Sequence, residues 1–184
     1  MPFVAIHSES RRRVDVTSLA NPRNDAPKGE YECPLCNGRM FLRVGYIKAA
    51  HFAHFAGECV TDIATHPESH EHLYAKRRIA EYLRRQPDTE SVELEVIIES
   101  ALRRADIMLT TTNGCRVAHE VQLSPITPQE LEARTNDYAA QGIDTFWWLG
   151  EKADTDVNSR WCLLNTGAAG RIAFSYATDK VTLD

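Results

Sequence analysis

No stretch of this sequence approaches the run of about eighteen apolar residues that a membrane-crossing helix requires. Its start, Met1-Pro2-Phe3-Val4-Ala5-Ile6-His7, has no charged region followed by an apolar one, so a secretory leader is not expected either. These two absences predict a cytoplasmic protein that does not enter a membrane. Excess positive charge is also missing, since 21 Lys and Arg against 26 Asp and Glu leave a net charge of -5. That excludes a nonspecific nucleic-acid coat, but not an enzyme with a local basic surface. Repeats and low-complexity tracts are absent. An even cysteine count is lacking as well. Five cysteines favour metal binding or free thiols over a disulfide framework.

What is present fits one ordinary domain, or a core with a small appended module, at a length of 184 residues. Phe3 to His7 and Val14 to Val16 read as short strands around a polar turn. Asn21 to Gly29 is rich in Pro, Asn, Asp and Gly and reads as a loop. Tyr31 to Val60 has little periodicity. Glu68 to Arg85 reads as a helix stopped by Pro87. Three β-rich runs follow: Val92 to Ile98, Arg104 to Thr111 and Cys115 to Leu123. Thr127-Pro128-Gln129-Glu130 opens a second helix with a capping box, and Gly142 ends it. Thr145 to Leu149 reads as a buried strand, and Trp161 to Leu164, Arg171 to Tyr176 and Val181 to Leu183 as weaker strand candidates. The order predicts a mixed α/β domain from residue 63 to 184, preceded by a β-hairpin and zinc-finger-like module over residues 1–62.

Cys33-Pro34-Leu35-Cys36 is a Cys-x2-Cys knuckle, with His51, His54 and Cys59 downstream. Thiolate and imidazole in tetrahedral number suit a structural zinc, which would supply folding free energy to a segment with little core. Cys33, Cys36, His54 and Cys59 form one ligand set; Cys33, Cys36, His51 and His54 form another. Cys115 and Cys162 fall in apparent strands and read as small core residues.

The first long helix breaks its own pattern. Ile79, Ala80 and Leu83 define an apolar stripe that continues through Glu68, Ser69, His72 and Lys76. Ionisable groups on a core-facing stripe are costly unless they are paired or bind something. Basic clusters stand at Arg11-Arg12-Arg13, Lys76-Arg77-Arg78, Arg84-Arg85 and Arg103-Arg104.

Two carboxylates follow on neighbouring strands, in Arg104-Ala105-Asp106 and Glu120-Val121-Gln122. A loop of three residues, Thr112 to Gly114 with Gly114 in the left-handed region, pairs Asp106 with Glu120. A two-residue Asn113-Gly114 loop would shift the register and separate them. Two acids on one face repel and favour a cation between them. Mg²⁺ or Mn²⁺ suits such oxygen ligands and can polarise a phosphoryl oxygen and activate water. Gln122 can orient that water, and Lys76 can supply positive charge. On the second helix Leu131 and Tyr138 set the inner stripe, and Arg134 falls on it. It is placed either to contact a phosphate or to pair with one of the acids.

With these residues in view, the chain resembles the competence protein CoiA family. The matching pieces are Cys33-Pro34-Leu35-Cys36, Phe52-Ala53-His54, Cys59, Glu68-Ser69 with His72 and Lys76, Arg104-Ala105-Asp106, and Glu120-Val121-Gln122-Leu123-Ser124-Pro125-Ile126, with Arg134, Tyr138 and Trp148. The resemblance implies a restriction-endonuclease-like PD-(D/E)xK core behind a zinc-binding segment. It implies that Glu68, Asp106, Glu120, Gln122 and Lys76 carry catalysis, with His72, Arg104, Arg134 and Tyr138 against the substrate. It also implies His54 and Cys59, rather than His51, as zinc ligands. The expected substrate is DNA, handled as foreign or transforming DNA and in company with recombination or defence proteins.

Overall fold

The computed structural model describes residues 2–45, 49–58, 68–101, 103–175 and 180–183. Its contacts divide the chain into two compact units, Met1–Leu73 and Tyr74–Asp184. The boundary expected between residues 62 and 63 lies outside the described residues.

The first unit is built on β1 (Val4–His7), β2 (Arg13–Asp15), β3 (Tyr31–Glu32), β4 (Arg39–Arg43) and β5 (His51–His54). They form an antiparallel sheet in the order β2-β1-β3-β4-β5. Phe3, Val4, Ala5, Val14, Tyr31, Met40 and Phe52 are buried in it, and the Tyr31 and Phe52 rings lie 4.8 Å apart. The second strand stops before Val16 because the Asp15 carboxylate accepts the Thr17 N–H at 2.8 Å and opens a 3-10 turn over Val16–Ser18. The loop from Asn21 to Gly29 contains one helical turn, α1 (Pro22–Asp25), with its proline at the N-terminus, where a missing N–H is harmless.

The second unit is a mixed sheet flanked by helices. A helix, α2 (His70–Leu83), spans the boundary. After it come β6 (Thr89–Ile98), β7 (Arg103–Thr111), β8 (Arg116–Gln122), α3 (Pro128–Ala139), β9 (Asp144–Gly150), α4 (Asp156–Asn165), β10 (Ala169–Ser175) and β11 (Lys180–Leu183). The strand order is β11-β10-β9-β8-β7-β6. β6, β7 and β8 run as an antiparallel meander. β9 lies parallel to β8 and β10 parallel to β9, joined through α3 and α4. α3 opens with the expected capping box: the Thr127 hydroxyl accepts the Glu130 N–H, and the Glu130 carboxylate accepts the Thr127 N–H. Leu131 and Tyr138 on α3 are fully buried. Leu131 packs with Trp147, Leu149, Ala153 and Cys162, and Tyr138 with Ile98, Ala105, Met108, Ala118 and Ile143. This mixed sheet is the α/β core of nuclease-like type that the sequence predicts.

Trp161 to Leu164 is helical, not a strand. The Thr155 hydroxyl caps α4 by accepting the Asn158 N–H, and the Asn158 amide donates to the carbonyls of Ile126 and Ala153 at 2.9 Å each. A short apolar run fits either element, and these bonds decide for the helix. Cys162 is buried, but on that helix, and Cys115 is exposed at the edge of a turn. On β8, His119 is buried beside Phe146 and Trp148, and its Nδ1 accepts the Trp148 indole N–H at 3.0 Å. Burial pushes its pKa down to about 4, so it is a neutral core residue at physiological pH.

The β7–β8 turn is the three-residue loop. Thr111 N–H donates to the Cys115 carbonyl at 2.9 Å, and Gly114 has φ +85°. A Cβ at Gly114 would touch nothing, so substitution there acts through the backbone alone. Gly114→Ala is expected to destabilise the protein by about 1 kcal/mol without changing the register, read from the midpoint of urea unfolding.

Candidate functional site

The β7–β8 ladder carries Ile107 opposite His119 as its last regular pair. One residue further, Asp106 and Glu120 stand opposite each other, and the side chains take over the hydrogen bonding. Asp106 Oδ2 accepts the Val121 N–H at 3.0 Å, and the Glu120 carboxylate accepts the Asp106 backbone N–H. Each acid is thus anchored to the opposite strand. Both are buried. Burial raises the Glu120 pKa and the Asp106 charge raises it further, while Arg134 and Tyr138 oppose the shift.

Both oxygens of Glu120 are engaged by α3. The Tyr138 hydroxyl donates to Oε1 at 2.7 Å, and Arg134 Nη2 lies 2.5 Å from Oε2. Burial, reinforced by Glu120, pushes the Tyr138 phenol well above its ordinary range, so it stays protonated and donates. The Arg134 guanidinium also reaches Gln122 Oε1 at 3.4 Å and stacks over Trp147, 5.3 Å from the ring centre. Of the two arrangements open to Arg134, the structure has the ion pair. Gln122 is held by its amide, which donates to the Ser124 carbonyl at 2.8 Å and hydroxyl at 2.9 Å.

Lys76 is completely buried, and its ammonium lies 2.9 Å from Glu95 Oε1 and 3.8 Å from Asp106 Oδ1. Sequence reasoning missed Glu95. It sits between the pairs Leu94↔Ile107 and Val96↔Ala105, opposite Asp106, and is buried in a left-handed backbone with φ +55°. Strain of this kind in a non-glycine residue persists only where the surroundings enforce it, and it concentrates at functional sites. Its alternation is shared with Glu93 on the same strand, so the sequence held no signal that singled it out. Lys76 and Arg134 supply two positive charges against the three carboxylates of Glu95, Asp106 and Glu120. When all are ionised, these five side chains leave one buried negative charge, which attracts a further cation.

The other expected residues stand as follows. Arg104 is partly exposed on β7, two residues before Asp106. Glu68 and His72 pair with each other, Oε1 to Nδ1 at 3.8 Å, one helical turn apart. In the first unit, the Cys33 and Cys36 thiols and His54 Nε2 lie within 4.8 Å of one another. The Leu35 and Gly38 N–H groups point at the Cys33 and Cys36 sulfurs at 3.4 Å, as second-sphere donors to a metal-bound thiolate would. Gly38 is required there, since a Cβ would stand 2.3 Å from the Glu58 carbonyl oxygen. His51 is not in this group. It is three residues from His54 on β5, so the pleat turns it to the other face, where Nδ1 bonds the Ala49 carbonyl at 2.8 Å. Cys59 lies outside the described residues.

A mixed sheet with buried acids at the open end of a hairpin defines a nuclease-like domain. Residues 68–173 match the family model for the nuclease-like domain of competence protein CoiA, and residues 17–62 match that for its N-terminal domain. The chain belongs to the competence protein CoiA family. It is 34% identical over 119 residues to Competence protein CoiA of Bacillus subtilis (strain 168), a match that covers 64% of this chain and 31% of that protein. The chain therefore spans about a third of the length of this relative.

Removing one partner of the Lys76–Glu95 pair leaves a buried charge uncompensated. Lys76→Met is expected to lower stability by about 3–5 kcal/mol, and adding Glu95→Gln to recover much of that loss, read by urea denaturation.

Proposed function

We propose that the second unit is a metal-dependent nuclease that hydrolyses phosphodiester bonds in DNA. The observation that carries this reading is the in-register pair of buried acids, Asp106 and Glu120, at the end of the β7–β8 ladder. Together they would hold Mg²⁺ or Mn²⁺, with Glu68 as the further acid that the family resemblance implies. Such an ion, when bound, polarises a phosphoryl oxygen and lowers the pKa of the attacking water. Gln122 orients that water through its amide, and Lys76 steadies the charge on Asp106. Arg134 turns from Glu120 to a substrate phosphate, its buried Nε having no hydrogen-bond partner among the described residues. His72, Arg104 and Tyr138 complete the substrate side. Cys33, Cys36 and His54, with Cys59 as fourth ligand, would hold a structural zinc in the first unit. The family's association with competence supports a place in handling transforming DNA in the cytoplasm, alongside recombination or defence proteins. Among the described residues no helix is long and apolar enough to cross a membrane.

One observation favours a second reading, a DNA-binding or protein-binding adaptor without catalysis. Gln122 stands where a lysine would add positive charge, and both Glu120 oxygens are already bonded.

Single- and double-stranded DNA incubated with the protein and Mg²⁺ or Mn²⁺ separates the two. Cleavage is expected, and Asp106→Ala and Glu120→Ala should each reduce it on the order of a hundredfold or more. DNA binding with no cleavage, unchanged in both variants, would establish the adaptor instead. For the first unit, Cys33→Ser should release about one equivalent of zinc per chain, measured by elemental analysis, and unfold the segment around the knuckle.

A further inference from the structure

The outward face of β4 carries a feature that neither the acids nor the knuckle uses. Along this strand Arg39, Phe41 and Arg43 alternate with the inward Met40 and Leu42, and both arginines are exposed. Phe55, just beyond β5, lies beside Phe41 with ring centres 4.8 Å apart. The Arg39 guanidinium sits over Phe55 at 5.5 Å and that of Arg43 over Phe41 at 5.1 Å. The two rings are tilted by 46° to each other, with one guanidinium over each. Phe55 is 46% exposed, so its ring is not spent on the core. A groove of about 370 Å³ borders the two rings, with Arg23 and Lys28 on its wall. Arg23, Lys28, Arg39 and Arg43 give four positive charges, against the two of Glu58, which bonds Arg39 at 2.7 Å, and Glu30 on the groove wall. The face is locally basic on a chain that is acidic as a whole.

We propose that this face binds single-stranded DNA, with one base stacking on the exposed Phe55 ring and the phosphates meeting Arg43, Lys28 and Arg23. Flat aromatic surfaces flanked by cations match the two chemistries of a single strand, an exposed base face and a regular anionic backbone. A duplex hides its base faces within its own stack and offers the rings nothing. Arg39, already held by Glu58, serves to fix the Phe55 ring. The inference narrows the substrate class of the proposed nuclease, yet it concerns a different unit and different residues.

The test uses the full chain carrying Asp106→Ala, with no added Mg²⁺, so that cleavage plays no part. Fluorescence anisotropy with a labelled oligothymidylate of about twenty nucleotides reads the affinity. Phe41→Ala with Phe55→Ala is expected to weaken binding roughly 5- to 150-fold, the effect of one lost stacked base. Phe55→Trp should retain it. Arg43→Ala should weaken it and lower the salt slope by about 0.7. Unchanged circular dichroism and zinc content in these variants would show that the unit is intact. Equal affinity of the double-alanine variant and its parent overturns the proposal, as does equal binding of a blunt duplex. Neither result depends on whether the unsubstituted protein cuts DNA.

Discussion

The length of one turn decides what β8 presents to the rest of the second unit. Strand side chains alternate, so a slip of one residue would carry Glu120 to the other face and put His119 beside the acids. Thr112, Asn113 and Gly114 form the turn, and Gly114 takes the left-handed conformation that closes a three-residue loop. The Asn113 side chain strengthens it by accepting from the Cys115 N–H at 3.1 Å. From this register follow the facing acids, the burial of His119 against Trp148, and the meeting of Glu120 with Arg134 and Tyr138.

A second constraint is electrostatic. Burying three carboxylates in a small volume is unfavourable unless each finds donors or counter-charge. The fold meets this from three directions. α2 contributes Lys76, α3 contributes Arg134 and Tyr138, and the strands contribute their own N–H groups where the ladder ends. Because every acid has a donor, the cluster can exist in the folded protein without an added ion. When Glu120 is ionised as well, one negative charge remains over the two of Lys76 and Arg134.

The second unit was legible because its signals are local. The capping box at Thr127, the Asn-Gly turn and the alternation through Asp106 and Glu120 each depend on a few adjacent residues. Lys76 was found, with Glu68, Ser69 and His72, as a polar continuation of an apolar helix stripe. Glu95 was not, because alternation assigns Glu93 and Glu95 alike to a solvated face, and only tertiary packing with Lys76 distinguishes the two. The helix at Trp161 was hidden for a related reason. Four apolar residues carry no period of their own, and the bonds of Asn158 that fix the helix reach back to Ile126. In the first unit the strands are so short that alternation hardly appears, although the knuckle was visible from spacing alone. His51 and His54 illustrate what spacing leaves open. Once both are on one strand, their odd separation sends them to opposite faces.

Arg134 links the two demands on Glu120. In the structure its guanidinium takes the place beside Oε2 that a divalent ion would want, and it stacks on Trp147, which fixes the plane of the fork. A divalent ion at the proposed site would compete with the guanidinium for this carboxylate, and the low-dielectric surroundings strengthen the attraction in either pair. A backbone phosphodiester, also singly charged, offers the fork an alternative bidentate partner. Substrate arriving first would draw Arg134 away and expose Glu120, whereas an ion arriving first would have to displace a buried salt bridge. In the proposed nuclease, nucleic acid and metal would therefore enter together, with Trp147 keeping the guanidinium near the site.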